Sequence, residues 1–110
     1  HGSAATGLAS TALGKGGTAS GTRAVTVGAN TTASGERSVA LGEGVATSTW
    51  YQVAIGQRHI ELEEMAAAQL PVSAPATNKA RLYVKDNGSG KTQLCIRFPT
   101  GSEVVIVTEA

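Results

Sequence analysis

The sequence is short of nearly everything that fills an ordinary protein core. Of its 110 residues, four are aromatic, and Leu, Ile, Val and Phe together number 22. The hydrophobic fraction of 41% overstates the apolar bulk, because 18 of those residues are alanine. That poverty borders on the composition of disordered segments, although such segments also carry high net charge and this chain carries only +1. A single cysteine, Cys95, excludes an intramolecular disulfide and a cysteine-based zinc site. With no run of ~18 apolar residues, no transmembrane helix is expected. No basic segment leads into an apolar one, so no signal peptide is expected in this stretch. The 9 Lys and Arg against 8 Asp and Glu form no basic cluster, which leaves no electrostatic footprint for nucleic acid. His1-Gly2-Ser3 reads as the remnant of an expression tag.

Glycine is what the chain has in excess, with 14 copies, and its placement is periodic. Gly7, Gly14, Gly21, Gly28, Gly35, Gly42 and Gly56 lie on a strict seven-residue spacing, broken only at Thr49. The full unit is 14 residues, and four tandem copies run from Ala5 to Ile60: ATGLASTALGKGGT, ASGTRAVTVGANTT, ASGERSVALGEGVA and TSTWYQVAIGQRHI. Val25-Thr26-Val27, Val39-Ala40-Leu41 and Val53-Ala54-Ile55 alternate with period two, and each is closed by glycine. That pattern predicts strands of about five residues, two per unit, each followed by a glycine turn. Helix is disfavoured, since each interior glycine costs ~1 kcal/mol against alanine. Collagen is excluded because the period is not three and no proline occurs before Pro71.

One unit therefore forms one coil of a narrow solenoid, with coils stacked ~4.8 Å apart in parallel ladders. Glycine is expected to supply positive φ at the corners and to let neighbouring coils approach closely. Such a coil carries too few branched side chains to offset backbone ordering at ~1–2 kcal/mol per residue. Further burial has to come from identical chains, so an obligate homo-oligomer is expected. The small residues recurring in register, Ala19-Ser20, Ala33-Ser34, Ala40 and Ala54, are the expected subunit contacts.

These units, with their SVALG and QVAIG endings and the ASG between them, resemble the YadA-like head repeats of trimeric autotransporter adhesins, which also occur in bacteriophage tail fibres. The resemblance covers residues 5–60. It implies an all-β chain, a trimeric left-handed parallel β-roll over residues 4–60, and a partner on a host cell surface, glycan or protein. No catalytic residue, no metal, no cofactor, no nucleic-acid partner and no membrane insertion are expected.

From Gln57 onward the composition changes: twelve of the 17 charged residues lie in 57–110. Residues 61–79 read as a neck and linker. The stretch up to Met65 suits a last strand or a short helical neck, and Leu70 to Ala76 is a Pro/Ala-rich extended segment. Residues 80–110 read as a three-stranded antiparallel meander over Ala80–Lys85, Thr92–Phe98 and Glu103–Thr108, joined by turn-forming residues. Leu82 and Val84 share one face, as do Leu94, Ile96 and Phe98, while Cys95 and Arg97 point the other way. The segment ARLYVKDNGSGKTQLCIRFPTGSEVVIVTEA resembles the C-terminal segments of tailed-phage and prophage tail proteins. This implies a virion tail fibre engaged in host attachment, with the head of a bacterial surface adhesin as the alternative and a carbohydrate-active fibre domain as a third.

Few residues suggest chemistry. Gly88-Ser89-Gly90-Lys91-Thr92 carries the end of a phosphate-binding loop, but its first glycine is replaced by Lys85 and a strand is expected to follow, so it reads as a hairpin turn. His59 beside Glu61 and Glu63 lacks the further convergent ligands of a metal site or the oriented nucleophile of a catalytic one. Glu63 and Glu64 are sequence neighbours, which suits a solvated edge better than a glycosidase pair. The feature that stands out is Trp50-Tyr51, placed in the one unit whose glycine is missing. The pair either caps the open end of the roll or, with Arg58 and His59, forms a receptor contact.

Overall fold

The computed structural model describes residues 2–56 and 59–110, and it divides the chain into two compact units, His1–Ile60 and Glu61–Ala110. Nearly all of its regular structure is β.

In the first unit each 14-residue repeat makes one coil with two short strands. These are β1 (Ala4–Ala5), β2 (Thr11–Leu13), β3 (Thr18–Ala19), β4 (Val25–Val27), β5 (Thr32–Ala33), β6 (Val39–Gly42), β7 (Ala46–Thr47) and β8 (Val53–Gly56). The odd strands form one four-stranded parallel sheet and the even strands a second. Partners lie fourteen residues apart without slippage, as in Thr11↔Val25, Val25↔Val39 and Val39↔Val53. The unit is thus a parallel β-solenoid of about four coils. Its strands, at two to four residues, are shorter than the expected five because tight turns claim the rest of each repeat.

One corner turns at Gly7–Ser10, Gly21–Ala24 and Gly35–Ser38. The fourth residue donates its N–H to the first carbonyl at 3.1, 3.0 and 3.2 Å respectively. The third residue of the turn, Ala9, Arg23 and Arg37, has φ near +55°, as does Tyr51 in the last coil. Positive φ at that place is the type II signature, and glycine is its usual occupant. Here a rung between coils holds it instead: Arg23 N–H donates to Leu8 O, Arg37 N–H to Thr22 O and Tyr51 N–H to Glu36 O, at 2.8, 2.8 and 3.0 Å.

The periodic glycines do two jobs in two columns. Gly14, Gly28 and Gly42 have φ between +112° and +131°. Gly7, Gly21 and Gly35 have ordinary φ, and both columns press against the next coil: a Cβ on Gly21 would lie 2.2 Å from Gly35 O, and one on Gly14 2.2 Å from Gly28 O.

The packing inverts the expected use of large and small residues. Ala19, Ala24, Ala33 and Ala40 are fully buried inside the roll, together with Thr26, Thr31, Ser38 and Thr47. Of the small residues read as subunit contacts, Ala19, Ala33 and Ala40 therefore fill the roll's own interior, whereas Ser20 and Ser34 are exposed and Ala54 is half-buried. Ser38 Oγ accepts from Thr47 Oγ1 at 2.8 Å and donates to Gly35 O at 2.8 Å. The branched residues point outward: Leu13 is 56% exposed and Ile55 45%, in register with Val27 and Leu41, and Val53, in register with Val39, is 62% exposed. The cause is geometric. Two tight turns in fourteen residues bring the sheets too close for a leucine or isoleucine side chain, so among the described residues no fully buried side chain between them is larger than threonine.

The second unit is a mixed sheet in the order β12 (Val104–Thr108), β11 (Thr92–Arg97), β10 (Arg81–Asp86), β9 (Glu64–Met65). The three antiparallel strands pair as read, with Leu82↔Ile96 and Val84↔Leu94 on one face. A fourth strand joins them: β9 runs parallel to β10, with Glu64 opposite Val84. Ala67–Gln69 forms a single 3-10 turn, its entry fixed by the Ala66 N–H donating to Gln69 Oε1 at 2.8 Å. Part of the stretch read as linker lies against this unit, because Arg81 Nη1 donates to Ser73 O and Ser73 Oγ at 2.9 and 2.7 Å.

Candidate functional site

The stacked turns turn one corner of the roll into two side-chain columns. Leu8, Thr22, Glu36 and Trp50 occupy the second turn position, and Ala9, Arg23, Arg37 and Tyr51 the third. The sequence fixes this register because each member follows the last by fourteen residues. Trp50 is 72% exposed and Tyr51 63%. The Arg37 guanidinium lies 5.4 Å from the Tyr51 ring centroid and its Nη1 donates to Tyr51 Oη. Glu36 Oε1 stands 3.5 Å from the same nitrogen. Among the described residues Arg23 has no acidic partner within salt-bridge distance.

The corner therefore presents an indole, a phenol and two guanidinium groups on one exposed strip. Of the four residues singled out from the sequence, Trp50 and Tyr51 are brought together here. His59 is exposed beyond β8, and Arg58 lies outside the described residues. Arg23 and Arg37 were missed. Subtracting fourteen and twenty-eight from Tyr51 finds them, which is the signal the repeat already carried.

The second unit holds a polar cluster of a different kind. Tyr83 and Lys85 project from one face of β10, and Glu103 reaches both. Its carboxylate accepts from Tyr83 Oη and pairs with Lys85 Nζ at 2.5 Å. Burial pushes the Tyr83 phenol well above its ordinary range, and the Glu103 hydrogen bond and charge push the same way. Burial also acts to raise Glu103, but the hydrogen bonds from Lys85 and Tyr83 and the Lys85 charge together hold its carboxyl below the usual carboxylate range. The hydrogen bond to Glu103 raises Lys85 against its own burial. Cys95 opposite Tyr83 is fully buried, and burial raises its thiol.

A cavity of about 400 Å³ lies beside the cluster, lined by Pro71, Val72, Ser73, Tyr83, Arg97 and Glu103 among others. Tyr83, Lys85 and Glu103 are paired with one another, so the cluster cross-links the sheet. Gly88 to Lys91 form the β10–β11 hairpin. Ser89 N–H donates to Asn87 Oδ1 at 2.8 Å, and Thr92 opens a strand where a phosphate loop needs a helix. Among the described residues no three His, Cys, Asp or Glu side chains come together to hold a metal.

These observations define a class: an all-β repeat solenoid of fibre type, built on backbone ladders, whose apolar columns face outward. Comparison with protein families makes this specific. The YadA head domain repeat matches in two overlapping copies, residues 5–31 and 19–44, so this stretch is similar to the repeat of an adhesin-like structural fibre domain. The match ends before β7 and β8, yet both strands continue the same register. Among the curated proteins and the solved structures, none matches the chain.

Proposed function

We propose that the chain is a non-enzymatic, homotrimeric segment of a phage tail fibre that attaches to a host cell surface. The observation that supports trimerisation is the outward placement of Leu13, Val27, Leu41, Val53 and Ile55 on a roll whose interior holds only small side chains. Apolar columns on a repeat scaffold are left for a neighbouring copy to cover. The resemblance of residues 80–110 to tail-protein termini supports a virion over a bacterial cell surface, and the exposed corner with Trp50 and Tyr51 supports attachment. The head of a bacterial trimeric autotransporter adhesin is the second reading, favoured by the matching repeat itself.

Light scattering tests the assembly, with a mass three times the 11.1 kDa chain expected and a monomer overturning it. Fluorescently labelled protein tests attachment. Trp50→Ala is expected to keep the oligomer and lose cell binding, whereas undiminished binding removes the corner from the attachment surface. Genes for tail proteins beside the coding sequence support the phage reading, and a downstream membrane-anchor barrel supports the second.

A further inference from the structure

We infer that the Arg23–Arg37–Tyr51 corner, with Trp50 beside it, binds anionic saccharides: polymers of pyranose rings bearing carboxylate or sulfate. The inference rests on the attachment reading above and names its ligand chemistry. Three features of the corner carry it. First, Trp50 and Tyr51 expose their rings with no apolar side chain beside them in either column. The residues one coil below are Glu36 and Arg37, and the aliphatic members, Leu8 and Ala9, stand three coils away. A hot spot for a protein partner sits inside a ring of near-neutral contacts that exclude water. An aromatic face bracketed by charges suits a ring that is apolar on one side and hydroxylated at its rim.

Second, the cations are available. Arg23 has no acidic partner among the described residues, and Arg37 commits only Nη1 to Tyr51 and Glu36, leaving Nε and Nη2 to donate. A planar guanidinium matches carboxylate or sulfate oxygens in pairs. Third, the columns advance ~4.8 Å per coil, close to the length of one sugar in a linked chain. A saccharide laid along the corner thus meets one side chain per residue: Arg23, Arg37, then the aromatic pair. Positive φ at Arg23, Arg37 and Tyr51 keeps all three on the same outer line. Neighbouring copies cover the apolar columns of the sheets, whereas burying this charged corner would cost desolvation without compensation.

Trp50 is the chain's only tryptophan, so its emission reports on the corner alone. The test titrates the full chain with oligogalacturonate, dextran sulfate and neutral dextran. The expected result is a saturable change in Trp50 emission with the two anionic polymers and none with dextran, weakened by added salt. Arg23→Ala with Arg37→Ala is expected to weaken anionic binding on the order of 10-fold. Alanine already occupies this turn position at Ala9 with φ +56°, so the variant keeps its fold. In a surface-capture assay Trp50→Ala loses binding and Trp50→Phe keeps part of it, while Lys91→Ala on the hairpin of the second unit changes nothing. Equal binding of neutral dextran, insensitivity to the two arginine substitutions, or unmoved Trp50 emission overturns the inference. If saccharides fail while cell attachment still depends on Trp50, the inference falls and attachment stands with another receptor. If saccharides bind through Trp50 and the arginines but the protein attaches to no cell, the inference stands and the attachment reading falls.

Discussion

Gly35 and Thr49 occupy equivalent positions in successive coils, yet only one of them can carry a side chain. A Cβ at Gly35 would sit 2.1 Å from Thr49 O, inside the next coil. Thr49 belongs to the fourth coil, which has no further coil stacked on it in the repeat, and its hydroxyl donates to Gln52 Oε1 at 2.9 Å. The break in the seven-residue series thus marks the end of the stack. Gly21→Ala is expected to lower stability by about 3 kcal/mol, since backbone cannot yield as a side chain can. Thr49→Gly is expected to cost about 1 kcal/mol or less, chiefly backbone entropy. Urea unfolding of both variants checks the contrast.

Glu103 sets a second expectation at this scale. Its carboxyl is held low, so its contribution is present above the ordinary glutamate range and is lost as pH falls through the folded value. Lys85 and Tyr83 are raised, so theirs is present below their ordinary values and is lost as pH rises through the folded ones. The second unit should lose stability on both flanks, and Glu103→Gln should flatten the acid flank at a cost of about 1–2 kcal/mol near neutrality. Thermal melts followed by near-ultraviolet circular dichroism across pH read both effects.

At the scale of elements, β12 is the exposed one. Val104-Val105-Ile106-Val107-Thr108 lies at the open edge of its sheet, and all five residues are exposed although both of its faces are apolar. A strand apolar on both faces is ordinarily buried on both, and a free edge of this kind recruits other strands. Ile106→Lys is expected to leave the unit's own stability within about 0.5 kcal/mol, because that side chain is already exposed. The same change should reduce self-association measured by light scattering.

The elements also show what the sequence could and could not disclose. The fourteen-residue period sets the coils, the two sheets and their register, because one repeat can pair with the next in only one alignment. Which side of Val39-Ala40-Leu41 faces inward was not legible. Period-two alternation separates two faces without saying which is the interior, and the width of the coil decides that. The two-residue β9 carries no pattern of its own and is fixed only by pairing with Val84 and Lys85. Trp50-Tyr51 was legible as an interruption of the repeat, whereas Arg37 matters through a contact that only coil stacking creates.

For the whole molecule, folding and assembly become one equilibrium. A roll whose fully buried hydrophobic residues, among those described, are four alanines gains little from its own interior against an ordering cost of ~1–2 kcal/mol per residue. The outward columns are the reserve: each Val, Leu or Ile fully covered by a neighbour contributes ~1.5–3 kcal/mol. In the proposed trimer those contributions exist only when chains meet, so the melting temperature of the roll should rise with protein concentration. A self-sufficient monomer would melt at a temperature independent of concentration. Val27→Asp with Ile55→Asp places charges on either side of Leu41 in one outward column without touching the interior alanines. It is expected to return the mass from about 33 kDa, three copies of the 11.1 kDa chain, to that of one chain. It should also abolish the concentration dependence and unfold the roll in the same step, because the interior left behind cannot hold the coils alone. A variant that becomes monomeric yet keeps its ladder, read by β-sheet circular dichroism, would locate the stability in the backbone rungs instead. Assembly would then be a property added to a stable coil, not the condition of its folding.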